Sequence, residues 1–207
     1  MLTAYTLSAL LGYLIGSFPT AFLLVKWKAG IDIRRAGSGN VGTLNTMEVT
    51  GSRSLGVAVL VIDVVKGALA VALTMSLFGN LFWTMGVAGL SAIAGHAFPV
   101  WLNFRGGRGL AAAAGVFMVL GWIFIVIWLV LWTAAYLPFR NVHLGNVLAS
   151  LAGAGVVAGL PKSALTQTLP NFTSTGNLLF LTITFCVLVL ITHREPIAAM
   201  MKRARSL

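Results

Sequence analysis

The sequence predicts an all-α polytopic membrane protein of about seven transmembrane helices, and three observations carry that prediction. Apolar residues fill 58% of the 207 positions and charged residues only 9%, too little polar surface to coat a soluble globule of this length. The apolar residues collect in runs, several of them near the ~20 residues a helix needs to cross a bilayer. The basic residues, 14 Lys and Arg against 4 Asp and Glu, flank those runs as the positive-inside rule expects.

In chain order the runs cover 2–25, 54–78, 81–94, 110–120, 122–137, 144–160 and 177–192. The first lacks an early basic region and a small-residue cleavage signature, so it reads as a retained first helix rather than a removed signal peptide. Gly121-Trp122 reads as a tight interfacial turn between the fourth and fifth runs. Merging those two runs into one kinked span gives six crossings and strands Arg140 on the opposite side, so seven is favoured. The chain is read as a single transmembrane domain, residues 1–207.

Charge orients the spans. Lys26, Lys28, Arg34, Arg35 and Arg53 follow the first run, Arg105 and Arg108 the third, Arg140 the fifth, and Arg194, Lys202, Arg203 and Arg205 the seventh. Those connections share one side, which the rule makes cytoplasmic, with the N-terminus outside and the C-terminus inside. The opposite loops, Gly79-Asn80, Gly121 and 161–176, contain one basic residue, Lys162.

Several classes fall away. The formal charge is +10, but no basic run with interleaved aromatics accompanies it, so no nucleic-acid partner is expected. Cys186 is the single cysteine, which leaves no intramolecular disulfide or cysteine metal cluster. Asn171-Phe172-Thr173 has the form of a glycosylation acceptor but sits in a plain polar loop. The two halves show no repeat of the kind that marks inverted-repeat transporters.

Two segments carry chemistry. In Ala36-Gly37-Ser38-Gly39-Asn40-Val41-Gly42-Thr43-Leu44-Asn45, three glycines in six positions let the backbone turn N–H groups toward an anion. Ser38 and Asn40 add donors, and Arg34 or Arg35 adds charge; an ordinary loop uses the same residues. In the segment from Gly95-His96 to Gly109, Arg105 and Arg108 bracket a Gly106-Gly107 turn that opens a helix at Leu110. Guanidinium forks and a helix N-terminus can there meet one phosphate; the competing reading is a pair of interfacial anchors around a turn. His96, His143 and His193 fall at the same membrane face, each equally consistent with structural capping. Asp63 and Lys66, at i,i+3 inside the second run, read first as a self-neutralising pair. With four carboxylates in the chain, no paired-carboxylate, zinc-helix or Walker pattern exists, so neither metal nor cofactor is expected. Transfer by positioned donors and cations needs neither.

These blocks resemble the membrane-integral acyl-phosphate:glycerol-3-phosphate acyltransferases of bacteria, the PlsY family. The resemblance rests on Gly37-Ser38-Gly39-Asn40-Val41-Gly42 with Asn45; Ile62-Asp63-Val64-Val65-Lys66-Gly67; Gly95-His96 with Phe98-Pro99 and Phe104; Gly106-Gly107-Arg108-Gly109; and His193-Arg194-Glu195. It spans nearly the whole chain and implies seven helices in a bacterial inner membrane with the active face cytoplasmic. It implies transfer of a fatty acyl group from acyl phosphate to the 1-hydroxyl of glycerol 3-phosphate, giving lysophosphatidic acid for phospholipid synthesis. Ser38, His96, Arg108, His143 and His193 are the implied catalytic residues. Gly37, Gly39, Asn40, Asn45, Gly106, Gly107 and Gly109 are the implied substrate-binding residues, and the implied partners are the two substrates and membrane lipid. The chain departs from the family pattern at Thr43-Leu44, where the family has Ala-Thr, at Glu48 for arginine, Arg108 for lysine, His143 for serine and Pro196 for asparagine. Those departures leave an alternative: a catalytically degenerate homologue that binds lipid or serves as accessory subunit to a membrane-protein partner.

Overall fold

The computed structural model describes residues 1–169 and 173–205, with side chains described to Lys202. Asn171 and Phe172 of the acceptor-like motif, and the side chains of Arg203 and Arg205, lie outside the described residues. Every regular element among those described is helical: α1 Leu2–Gly16, α2 Thr20–Ala29, α3 Thr43–Thr50, α4 Arg53–Phe78, α5 Phe82–Ala97, α6 Leu110–Leu120, α7 Ile123–Phe139, α8 Val142–Gly159, α9 Lys162–Thr168, α10 Thr175–Thr192 and α11 Arg194–Arg205, with 3₁₀ turns at Ile33–Arg35 and Val100–Leu102. All seven apolar runs are therefore helical. Five stretches, Leu2–Ala29, Arg53–Phe78, Phe82–Leu102, Val142–Gly159 and Thr175–Thr192, are long and apolar enough to cross a membrane, whereas α6 and α7 are apolar but shorter. The turn expected at Gly121-Trp122 and the helix start expected at Leu110 both occur.

The first run differs from its expected single helix. It breaks between Gly16 and Thr20 because Pro19 brings no N–H to the ladder and Ser17 closes α1. The carbonyl of Phe18, freed by the break, accepts from Lys66 Nζ at 3.0 Å. Lys66 in turn lies 2.9 Å from Asp63 Oδ1, so the i,i+3 pair inside α4 does face itself.

The chain forms two compact units, Met1–Val119 and Leu120–Leu207. In the first, α1 packs along α5, and α4 lies against α1, α2, α3 and α5. Without a hydrophobic drive between lipid-immersed helices, close approach of backbones supplies the attraction. Gly12 and Gly16 of α1 meet the backbone of Ala88 and Ala92 of α5, where a Cβ would collide with a carbonyl. Beneath the loops sits a separate apolar core of Ala21, Val25, Ile33, Val41, Val59 and Leu102, which pins both ends of the first glycine-rich loop. In the second unit α8 packs between α7 and α10. The indoles of Trp128 and Trp132 donate from α7 to Ser150 Oγ at 3.1 Å and Asn146 Oδ1 at 2.8 Å on α8, and the buried Cys186 thiol donates to Ser150 O at 3.2 Å.

Candidate active site

The loop from Ile33 to Gly42 is organised around one buried amide. Asn45, in the first turn of α3, directs Nδ2 to the carbonyls of Ile33, Ala36 and Asn40 at 3.2, 3.1 and 2.9 Å. Its Oδ1 accepts from Ser38 N at 2.9 Å. Gly37 and Gly39 take φ of 55° and 70°, the left-handed region that side chains resist. Gly39 N donates to Ala36 O at 3.0 Å and Val41 N to Gly106 O at 3.3 Å; the second bond ties this loop to the second glycine-rich segment.

That segment turns sharply after α5. Gly106 N donates to Ala97 O at 3.0 Å and Gly107 N to His96 O at 3.1 Å, satisfying the last carbonyls of α5. Asn103 and Phe104, just before, both hold positive φ, 53° and 60°, a strain that clusters at functional sites. Gly107 is obligatory: a Cβ there would run into Nε2 of His96. The His96 ring thus lies against the turn, with its other nitrogen 3.7 Å from Asp63 Oδ1.

These bonds revise the expected anion recognition. The N–H groups of Ser38, Gly39, Val41, Gly106 and Gly107 are committed to internal acceptors, so much of the backbone in both turns is spent on shaping them and side chains take a larger share of presenting donors. Ser38 is exposed, and Asn40 and Arg108 are half-buried. Asn45, expected at the substrate, is instead the loop's anchor. Arg34, one candidate for anion charge, forks onto Asp32 through Nε at 3.0 Å and Nη2 at 2.8 Å. That hydrogen bond holds the Asp32 carboxyl down at about 2 against the opposing pull of desolvation, so Asp32 is ionised throughout the neutral range. Arg35 is the freer cation, its side chain 87% exposed and 4.0 Å from Asp32.

The second unit gathers the other two histidines, whose ring centroids lie 6.0 Å apart. His193 is fully buried, and its tautomer follows from its neighbours. The Trp132 indole can only donate, so it takes Asn146 Oδ1 and leaves Nδ2 to donate to His193 Nε2 at 3.3 Å. Nε2 is then an acceptor, and Nδ1–H donates to Val189 O at 2.9 Å. His193 is a neutral, oriented imidazole beside half-buried His143. Sequence reasoning missed Asn146; the available signal was an amide inside an apolar run, which a membrane helix must satisfy.

The sequence matches the family model for glycerol-3-phosphate acyltransferase over residues 6–203. The chain belongs to that family. A glycerol-3-phosphate acyltransferase of Myxococcus xanthus (strain DK1622) is 37% identical over 194 residues, 94% of each chain. Two crystal structures of PlsY, an integral membrane glycerol 3-phosphate acyltransferase, share the fold. Its glycerol 3-phosphate form gives a TM-score of 0.78 at 29% identity, and its lysophosphatidic acid form 0.76 at 28%, each covering 96% of this chain and 92% of the other. The likeness to those structures therefore covers nearly the whole length of both chains.

Proposed function

We propose that this chain transfers a fatty acyl group from acyl phosphate to the 1-hydroxyl of glycerol 3-phosphate, releasing lysophosphatidic acid and inorganic phosphate for phospholipid synthesis. The observation that carries the reading is the Val41–Gly106 bond joining the two glycine-rich loops, with His96 seated on Gly107, in a member of this family. The hydroxyl oxygen attacks the acyl carbon, the carbon–oxygen bond to phosphate breaks, and the departing phosphate takes up the hydroxyl proton. An acyl phosphate is already activated, so positioning and charge neutralisation suffice.

In this reading Ser38, Asn40 and Arg108 meet phosphate oxygens, while Gly37, Gly39, Gly106, Gly107 and Gly109 set the loop shapes, with Asn45 holding them, and His96 touches substrate. Within the second unit His193 positions His143. No step calls on a metal or cofactor. The whole chain acts as one membrane domain of seven crossings in a bacterial inner membrane, N-terminus outside and the glycine-rich loops cytoplasmic, because the basic residues collect on their side. The degenerate alternative would be favoured by Glu48 filling the site. Glu48 is exposed rather than buried in a site.

The purified protein in detergent or lipid is expected to release inorganic phosphate from an acyl phosphate only when glycerol 3-phosphate is present. No release, beside an active relative assayed in parallel, overturns the reading. Arg108→Ala removes a charge-assisted contact worth about 1.5–3 kcal/mol, a loss of roughly 10- to 150-fold. Glu48→Arg raises the rate by adding a cation where a carboxylate stands. Unchanged rates in both variants would place the site elsewhere.

A further inference from the structure

We propose that a cavity walled by α2, α4 and α5 binds one water molecule, held by Thr20 Oγ1, Asp63 Oδ1 and His96 Nδ1, and that this water orients His96 toward the Gly107 turn. The cavity measures about 10 Å³, close to the space one water requires. Thr20, Asp63, Lys66 and His96 line it, together with Val41 and Gly106 from the two joined loops. Thr20 and Asp63 are 2% exposed and His96 7%, and Thr20 Oγ1, Asp63 Oδ1 and His96 Nδ1 have no hydrogen-bond partner among the described residues. Leaving a bond unmade at a buried polar atom is costly, so three such atoms in the wall of one water-sized space call for a shared partner.

Direct pairing does not supply it. Asp63 Oδ1 and His96 Nδ1 stand 3.7 Å apart, beyond hydrogen-bond reach, yet a water between them reaches both at ordinary length. Lys66 Nζ approaches Asp63 Oδ1 to 2.9 Å but off the bonding direction, and it donates to Phe18 O. The carboxylate accepts only, so the water donates to Asp63. Its lone pairs then take Nδ1–H of His96 and the hydroxyl hydrogen of Thr20. The water's second hydrogen would suit either ring tautomer, but the Asp63 carboxylate 3.7 Å from Nδ1 favours the proton on that nitrogen, so His96 is the Nδ1–H tautomer, with Nε2 an acceptor against Gly107, suited to a substrate hydroxyl rather than a phosphate oxygen. Thr20 and Asp63 become positioning residues for the acyl transfer. That kinetic consequence rests on the proposed function; the water site does not.

The test uses the full chain in lipid. A high-resolution structure is expected to show a solvent peak within bonding distance of all three atoms. Nitrogen NMR of histidine-labelled protein should place the His96 proton on Nδ1. Thr20→Val removes one of the three groups without unpairing Lys66, as an Asp63 substitution would. It is expected to lose the peak, mix the tautomers and lower kcat about tenfold, the worth of one hydrogen bond, with KM for glycerol 3-phosphate within twofold; Thr20→Ser restores all three. No peak in the wild type, an Nε2–H tautomer there, or a valine variant matching wild type in peak and tautomer overturns the proposal. An inactive wild type that retains the peak and the Nδ1–H tautomer refutes the acyl-transfer reading and leaves the water site standing.

Discussion

Replacing Asn45 with alanine removes the side chain that holds four backbone groups of the 33–42 loop: Ser38 N at 2.9 Å and the carbonyls of Ile33, Ala36 and Asn40 at 3.2, 3.1 and 2.9 Å. Nδ2 carries two hydrogens for three carbonyls, so two of the carbonyls share one hydrogen. At about 0.5–1.5 kcal/mol net for each bond, and with water able to replace some of them in a half-exposed loop, the loss is about 2–4 kcal/mol. That raises the ratio of open to ordered loop by roughly 30- to 700-fold, and substrate affinity falls as the competent fraction shrinks. The expected result is a KM for glycerol 3-phosphate at least about tenfold higher, with helix content by far-UV circular dichroism unchanged because α3 and α4 keep their ladders. Asn45→Asp keeps the acceptor for Ser38 N but aims a second oxygen at three carbonyls, so it should do no better than alanine. A variant with KM and kcat within twofold of wild type would refute the claim that this loop's geometry sets substrate binding.

Gly16→Leu places a side chain where the Ala92 carbonyl of α5 already sits, and backbone yields less readily than a side chain, so a loss of at least about 1–3 kcal/mol is expected. The thermal midpoint in detergent should fall clearly, whereas Gly155→Ala, with open space at its Cβ position, should leave it in place. Asn146→Leu strands the half-buried Trp132 N–H and the buried His193 Nε2 and should destabilise by about 1–3 kcal/mol. Combining it with Trp132→Phe removes that donor and acceptor together and should recover the Trp132 share of the loss in a denaturation series, a non-additivity expected of contacting residues, while the cost of the unpaired His193 Nε2 remains.

The positions of the membrane helices were legible residue by residue. The runs at 54–78 and 177–192 nearly coincide with α4 and α10, and the turn at Gly121 and the start at Leu110 lie where glycine and apolar patterning put them. The break in the first run was less legible. Pro19 alone is an ambiguous signal, and Lys66, which satisfies the freed Phe18 carbonyl, lies 48 residues away. The candidate site was legible as a set of residue types but not as a division of labour. Three glycines beside Ser38 and Asn40 suggested a backbone anion nest, yet the N–H groups of Ser38, Gly39 and Gly42 turn inward. Arg34 looked like a free cation until Asp32, two residues earlier, took its fork.

Sequence alone determined the membrane environment, the helical class and the order of the apolar segments. Transfer free energy sums along the chain, and a span or a flanking cation is visible whatever it touches. Only the tertiary structure decided that Asn45 anchors a loop, that Asn146 sets the tautomer of His193, and that Thr20, Asp63 and His96 converge on one small space. Hydrogen-bond partnership depends on direction and on tenths of an ångström between helices distant in sequence, and no pattern within a single segment encodes that.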